Sequence, residues 1–117
     1  MFSKSGKSKR GEWTPEQYAY AQRCVEFGCI ACYLGHGIEG SPAMWHHQKE
    51  DYHGAGMRAP HHHGLPLCHH HHLGSTSESV HLNPEGFRRL IGMSEAEAVT
   101  WCWERFGWIP SDPASSE

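Results

Sequence analysis

The clearest periodic pattern of apolar residues lies near the end of the chain. A stripe with the i, i+3, i+4 and i+7 spacing of a buried helix face is formed by Val99, Cys102, Trp103 and Phe106. Ser94 precedes this stripe and Glu97 follows three residues later, which is the pattern of a capping box at a helix start. The pattern predicts a helix between Ser94 and Gly107, with the stripe facing the core.

Two more helices are predicted from their ends. Residues 14–17 (TPEQ) combine an N-cap threonine, a proline in the first turn and a glutamine that closes a capping box. That helix is expected to run to about Phe27 and to stop at Gly28. The Asn-Pro pair at 83–84 opens the other helix, which is expected to end near Gly92.

The middle of the chain carries shorter signals. Residues 43–47 (AMWHH) and 65–67 (LPL) are predicted to be short extended segments, with a polar loop over 48–62 between them. Residues 69–73 are predicted to begin a short helix, and 34–42 (LGHGIEGSP) are predicted to be loop because they are rich in glycine. Helices and short strands in this order predict a small α+β domain.

Length and charge set limits on this domain. The chain has 117 residues, enough for one domain, which we assign to residues 13–109. A flexible basic tail is predicted over 1–12 and a disordered tail over 110–117. Residues 1–10 carry four basic residues and no acid. Residues 11–117 have six basic and thirteen acidic residues, a net charge of −7. The basic tail is therefore a better candidate than the body for contact with a polyanion, although it could equally be a solvated leader.

Signals for membrane insertion and secretion are missing from the sequence. No apolar stretch approaches the roughly 18 residues that a membrane-spanning helix needs. The first residues are basic but lack the apolar run of a secretory signal. We therefore expect a cytoplasmic protein with no membrane partner, in which the five cysteines are reduced rather than paired in disulfides.

The spacing of cysteine and histidine indicates a metal site. Cys29 and Cys32 form a C-x-x-C pair, and Cys68 and His71 form a C-x-x-H pair further along the chain. Zn²⁺ in structural sites takes four such ligands in a tetrahedron, commonly as two pairs from two tight turns. The sequence therefore predicts a structural Cys₃His zinc site.

Other interpretations of the cysteines stay open at this point. The C-x-x-C pair could be a chance occurrence or a redox pair, although no βαβ pattern surrounds it. Cys24 lies one helical turn before Gly28 and could compete as a zinc ligand. Cys102 lies in the apolar stripe and is predicted to be a small buried apolar side chain.

The order of these motifs resembles the HNH endonuclease family, which has a ββα-metal fold. In that family a zinc knuckle brackets two short strands and a helix. His46-His47 matches the histidine pair that ends the first strand, and residues 65–72 (LPLCHHHH) match the L-C-x-x-C-H element, with His71 in place of the second cysteine. His63 stands where the family has an asparagine, which is a departure from its pattern.

A closer resemblance is to the phage Ref-like family of RecA-dependent recombination-enhancement nucleases and their prophage relatives. It covers about residues 24–107. The combination of motifs is specific, although each one alone is weak. The motifs are CIAC at 29–32, HH at 46–47, GMR at 56–58, PLCHHHHLG at 66–74, SVH at 79–81 and Phe87.

The resemblance implies a site for phosphodiester hydrolysis in a bacterial or phage-infected cell. His47 would be the general base, His63 would hydrogen-bond His47 or nearby backbone, and Arg58 would contact a phosphate oxygen. One catalytic divalent cation, Mg²⁺, Mn²⁺ or Zn²⁺, would be bound by His46, His72 and His81. An all-imidazole ligand set suits Zn²⁺, Ni²⁺, Co²⁺ or Mn²⁺ better than Mg²⁺. DNA would be the substrate, and a RecA filament is a candidate partner.

Two other classes of protein stay open. A chain that kept the fold and lost catalysis would be a zinc-containing nucleic-acid-binding or adaptor module, whose binding survives the change His47→Ala. A His-rich metal buffer or sensor would bind several metals loosely and would need no C-x-x-C or C-x-x-H spacing. Taken alone, His46 and His47 would be a pair of structural histidines. The remaining histidines have no assigned role, and most of them are predicted to be exposed: His36, His53, His61, His62, His69 and His70.

Overall fold

The described part of the chain contains five helices and two strands, with the strands between the second and third helices. A computed structural model describes residues 12–52, 59–74 and 77–108. In chain order the elements are α1 (Pro15–Phe27), α2 (Ile30–His36), β1 (Met44–His47), β2 (Gly64–Leu67), α3 (His69–His72), α4 (Pro84–Ile91) and α5 (Glu95–Phe106). This is the small α+β architecture that the sequence predicts. No helix within these residues is long and apolar enough to cross a membrane. The predictions for residues 1–11 and 110–117 fall outside the described residues.

Side-chain caps fix where the longest helices begin. The Thr14 hydroxyl accepts a hydrogen bond from the Gln17 amide (3.0 Å), and the Gln17 side chain accepts one from the Thr14 amide (2.9 Å). Ser94 and Glu97 form the same reciprocal pair at 3.0 and 2.8 Å. Both capping boxes and both helix starts are therefore confirmed. α1, α4 and α5 also end at the predicted glycines.

The segment after α1 is more helical than predicted. α2 continues to His36, so the prediction of loop over 34–42 is wrong for its first three residues. The Cys29 sulfur caps this helix by accepting a hydrogen bond from the Cys32 amide at 3.4 Å. Gly37, with a φ of 70°, ends the helix in the left-handed conformation that favours glycine. Cysteine is not one of the preferred N-cap residues, so the ordinary capping pattern gave no signal for this helix.

The two strands form one antiparallel pair that places the end of β1 beside the start of β2. His46 lies opposite Leu65 and His47 opposite Gly64. His46 is the one buried residue of β1, whereas all four residues of β2 are buried. Gly64 is needed here because a Cβ atom at this position would lie 2.6 Å from the Trp45 ring. The sheet therefore turns His46 inward at the point where β1 ends.

The core lies around β2. α1, α2 and α5 each contact β2, and α4 packs against α2. Cys24 of α1 and Cys102 of α5 are both buried, which confirms the predicted apolar environment of Cys102. The largest fully buried apolar side chains include Tyr20, Ile30, Leu65, Leu67, Phe87 and Val99.

Truncating the buried end of β2 should lower stability far more than truncating a surface leucine. Leu67 is 0% exposed and Leu82 is 61% exposed. We expect Leu67→Ala to lower the free energy of unfolding by about 2–5 kcal/mol, because it removes buried contacts and leaves a cavity. Leu82→Ala should change it by no more than about 0.5 kcal/mol. Urea unfolding at a fixed zinc concentration measures both, and equal midpoints would contradict this account of the core.

Candidate metal centres

The four predicted zinc ligands converge on one point. The Nδ1 atom of His71 lies 3.3 Å from the Cys68 sulfur and 3.6 Å from the sulfurs of Cys29 and Cys32. The sulfurs of Cys32 and Cys68 are 3.8 Å apart. A tetrahedral zinc with its usual bond lengths requires about 3.8 Å between sulfurs and about 3.5 Å between sulfur and nitrogen. This Cys₃His cluster could therefore hold a zinc ion without rearrangement.

Two helix starts bring the four ligands together. Cys29 is the N-cap of α2 and Cys32 lies in its first turn, while Cys68 is the N-cap of α3 and His71 lies within that helix. Burial raises the pKa of the Cys29 thiol and lowers the pKa of His71. His71 is therefore neutral and keeps a lone pair for a metal, and a bound cation would favour the thiolate form of the cysteines.

Cys24 lies outside this cluster. Among the described residues, the cluster of possible metal ligands that contains cysteine consists of Cys29, Cys32, Cys68 and His71. Cys24 is buried in α1, where burial raises the pKa of its thiol to about 12. Its environment is that of a protonated core side chain, as it is for Cys102.

A second cluster contains three histidines from three segments. The ligand atoms of His46, His72 and His81 lie within 4.8 Å of one another. Burial, together with the neighbouring rings of His46 and His81, lowers the pKa of His72 to about 4. Burial also lowers the pKa of His81. The Nδ1 atom of His72 is buried and has no hydrogen-bond partner among the described residues. A buried polar atom without a partner is costly, and a metal ion would satisfy it.

Glu95 orients His46, a contact that the sequence analysis missed. Its carboxylate accepts hydrogen bonds from the Nε2 atom of His46 and from the backbone amides of Lys49 (3.0 Å) and Glu50 (2.9 Å). Burial alone would raise the pKa of Glu95, but these hydrogen bonds lower it. Because Nε2 of His46 is occupied, Nδ1 is the nitrogen left for a metal. Glu95 was not among the predicted site residues.

His47 shares a cleft with the three histidines. The cleft has a volume of about 310 Å³, and its lining includes His46, His47, His72 and His81. The Nε2 atom of His47 lies 2.8 Å from Nδ1 of His61. The His61 ring stacks on Trp13 with a centroid distance of 4.2 Å. His61 is buried, whereas most of the histidines without an assigned role are predicted to be exposed.

His63 and Arg58 were the other predicted site residues. The Nδ1 atom of His63 lies 3.3 Å from the Tyr52 hydroxyl, and its backbone carbonyl accepts from the Gln48 amide at 2.8 Å. His63 therefore bonds the backbone next to β1, while the ring bonded to His47 belongs to His61. Arg58 lies outside the described residues.

Comparison with protein-family models and with curated proteins finds no match to this chain. The functional argument therefore depends on the two clusters and on the cleft beside His47. Of these, the Cys₃His cluster has ligand geometry that could hold a metal ion such as zinc.

The purified chain should contain about one tightly bound zinc ion. We expect Cys68→Ala to lose it, because three ligands remain where structural zinc takes four. Cys24→Ala is the matched control and should keep the zinc, since Cys24 lies outside the cluster. Elemental analysis after dialysis against a weak chelator measures the content. Zinc loss in the Cys24 variant alone would place the site elsewhere.

Glu95 should be more important for stability than its neighbour Glu97. We expect Glu95→Gln to lower the free energy of unfolding by about 1–3 kcal/mol, because the amide group cannot replace a carboxylate that accepts three hydrogen bonds. Glu97→Gln should have little effect, since glutamine also closes a capping box. Urea unfolding of the zinc-loaded variants compares them, and similar midpoints would refute the role of Glu95.

Proposed function

We propose that this protein is a metal-dependent DNA endonuclease of the HNH type, with one structural zinc ion and one catalytic divalent cation. The main support is a single juxtaposition. An antiparallel pair of strands leads into a short helix whose adjacent residues His71 and His72 belong to two different ligand clusters. His47, at the end of β1, lines the cleft beside the second cluster.

The zinc ion has a structural role in this proposal. Its four ligands are all supplied by the chain, so no coordination position is left open for a substrate. It would join the start of α2 to the junction between β2 and α3. That junction carries His72, so the zinc centre also holds one ligand of the catalytic cation.

The catalytic cation would be held by His46, His72 and His81. When bound, it would polarise the scissile phosphate and stabilise the leaving 3′ oxygen. Three neutral imidazoles favour a transition metal or Zn²⁺ over Mg²⁺. The lowered pKa values of His72 and His81 support this role because a ligand histidine must be neutral.

His47 is the proposed general base. In the tautomer that this role requires, the Nε2–H group of His47 would donate to Nδ1 of His61, and Nδ1 of His47 would take the proton of an attacking water. His61 would fix the ring in that orientation, which is the task that an asparagine performs in the resembled family. The stacking of His61 on Trp13 supports a fixed orientation of both rings.

DNA is the proposed substrate because the chemistry is phosphodiester cleavage. A neighbouring cleft of about 440 Å³ is lined by His81 together with Lys49 and Arg88, which are suited to contact phosphate oxygens. Acidic residues line the same cleft, so strong non-specific binding is not expected from it alone. The basic residues before residue 11 would add attraction to the DNA backbone.

Plasmid nicking tests the nuclease proposal. We expect the zinc-loaded chain to nick supercoiled DNA with Mn²⁺, and EDTA to abolish the reaction. His47→Ala should reduce the rate by about 10²–10⁴-fold, because it removes the general base. His69→Ala is the matched control, since His69 is an exposed histidine of α3 outside both clusters, and it should keep the native rate. A parallel reaction with RecA, ATP and single-stranded DNA tests whether cleavage depends on a recombinase filament.

If the chain does not cleave DNA, its DNA binding and metal content distinguish the other two classes of protein. A folded, zinc-loaded chain that cleaves nothing in any reaction but binds DNA would be a nucleic-acid-binding or adaptor module. A chain that binds more than about three metal ions loosely and has no affinity for DNA would be a metal buffer. Equal rates for His47→Ala and His69→Ala would exclude His47 as the base.

A further inference from the structure

The carboxylate of Glu78 lies at the centre of three histidine rings. Its Oε1 atom is 3.2 Å from Nε2 of His36, 3.3 Å from Nε2 of His70 and 3.1 Å from Nε2 of His71. The three rings come from the end of α2 and from two consecutive positions of α3. His36 and His70 are exposed, whereas His71 is 2% exposed. Neither cluster described above includes Glu78, His36 or His70 as a ligand.

Glu78 contacts the second ring nitrogen of His71, which is a candidate zinc ligand. Nδ1 of His71 faces the three cysteine sulfurs, and Nε2 faces Glu78. Histidines that bind metals through one ring nitrogen commonly donate the other N–H to a carboxylate, which fixes the tautomer and the ring orientation. The geometry around His71 has both halves of this arrangement.

We propose that Glu78 is a positioning residue of the Cys₃His centre, which holds the His71 ring with Nδ1 toward the zinc. His36 and His70 hold the carboxylate in place from either side. This inference depends on the zinc centre of the proposed function and is independent of nuclease activity.

The segment that carries Glu78 is itself fixed to α3. The Val80 amide donates to the His71 carbonyl at 2.8 Å, and the buried Ser79 hydroxyl donates to the His72 carbonyl at 3.1 Å. These bonds hold the residues after Glu78 against the helix that carries His71. The carboxylate is therefore presented by a docked segment, which is the condition for orienting a ligand.

The same arrangement recurs at the second cluster. There Glu95 accepts from Nε2 of His46 and leaves Nδ1 for a metal. Glu78 and Glu95 come from different segments, and each contacts one buried histidine of one cluster. The recurrence supports an orienting role for Glu78 rather than a chance surface contact.

Zinc competition against a chromophoric chelator tests the inference. We expect Glu78→Ala to weaken zinc binding about 10–100-fold relative to the native chain. Glu78→Gln should weaken it less, because the amide oxygen still accepts a hydrogen bond from His71. Glu104→Ala, which removes an exposed glutamate of α5 outside both clusters, is the matched control and should bind zinc like the native chain. In ¹⁵N-detected NMR of the zinc-loaded chains, the ring nitrogens of His71 should shift in the Glu78 variants and not in the control.

Three outcomes would overturn the proposal. A difference of less than twofold in zinc affinity between Glu78→Ala and Glu104→Ala would show that Glu78 does not act on the zinc. Loss of an additional, weakly bound ion in Glu78→Ala, with the tight zinc unchanged, would show that Glu78, His36 and His70 form a separate surface site. A native chain without tight zinc would refute both the zinc centre and the role of Glu78, whereas a chain without nuclease activity would leave both intact.

Discussion

The fixed distances between four ligand atoms are the constraint on which the rest of this structure depends. Two of the ligands come from the start of α2 and two from the start of α3, and the two pairs are 36 residues apart in sequence. A tetrahedral ion permits one set of ligand separations, so it would fix how these helix starts lie against each other. β2 runs directly into Cys68, and therefore the same centre would also fix the sheet. A metal centre that joins these elements would add to the stability of a core of this size, because small domains bury too little apolar surface to be very stable.

The run of four histidines in α3 is explained by helix geometry. Successive residues of a helix point about 100° apart, so adjacent side chains reach different surroundings. His71 points into the Cys₃His cluster, His72 joins the three-histidine cluster and His70 contacts Glu78, while His69 is exposed. One short helix thus connects two candidate metal centres. Loss of the first ion would be expected to disturb the second cluster, because His72 directly follows His71 in the same short helix.

Features that depend on local sequence were the ones that could be predicted. These features are the capping boxes, the helix-ending glycines and the C-x-x-C and C-x-x-H pairs. Each involves residues within four positions of one another, so the sequence pattern directly predicts the contact in the structure. α2 was not predicted, because a cysteine caps it. Which of the neighbouring rings at 61–63 meets His47 depends on the path of a loop. The sequence left His63 as a partner of either His47 or nearby backbone, and the structure has His61 beside His47.

The orienting carboxylates were missed for two different reasons. Glu95 lies 49 residues from His46, and it looked like an ordinary acidic residue in the first turn of a helix, a position that it also occupies. Glu78 lies only seven residues from His71 and could have been found by asking which acid is near each predicted ligand.

These carboxylates also bear on what kind of metal protein this is. Neutral imidazoles exist in two tautomers, and a group of them without other partners can exchange hydrogen bonds among many arrangements of similar energy. Glu78 and Glu95 each accept from Nε2 of one buried histidine, which leaves Nδ1 of that ring for the metal. A protein that only stores metal gains nothing from specifying one nitrogen. A protein that must hold each ion at one defined position does gain from it, so the two carboxylates favour defined metal centres over a metal buffer.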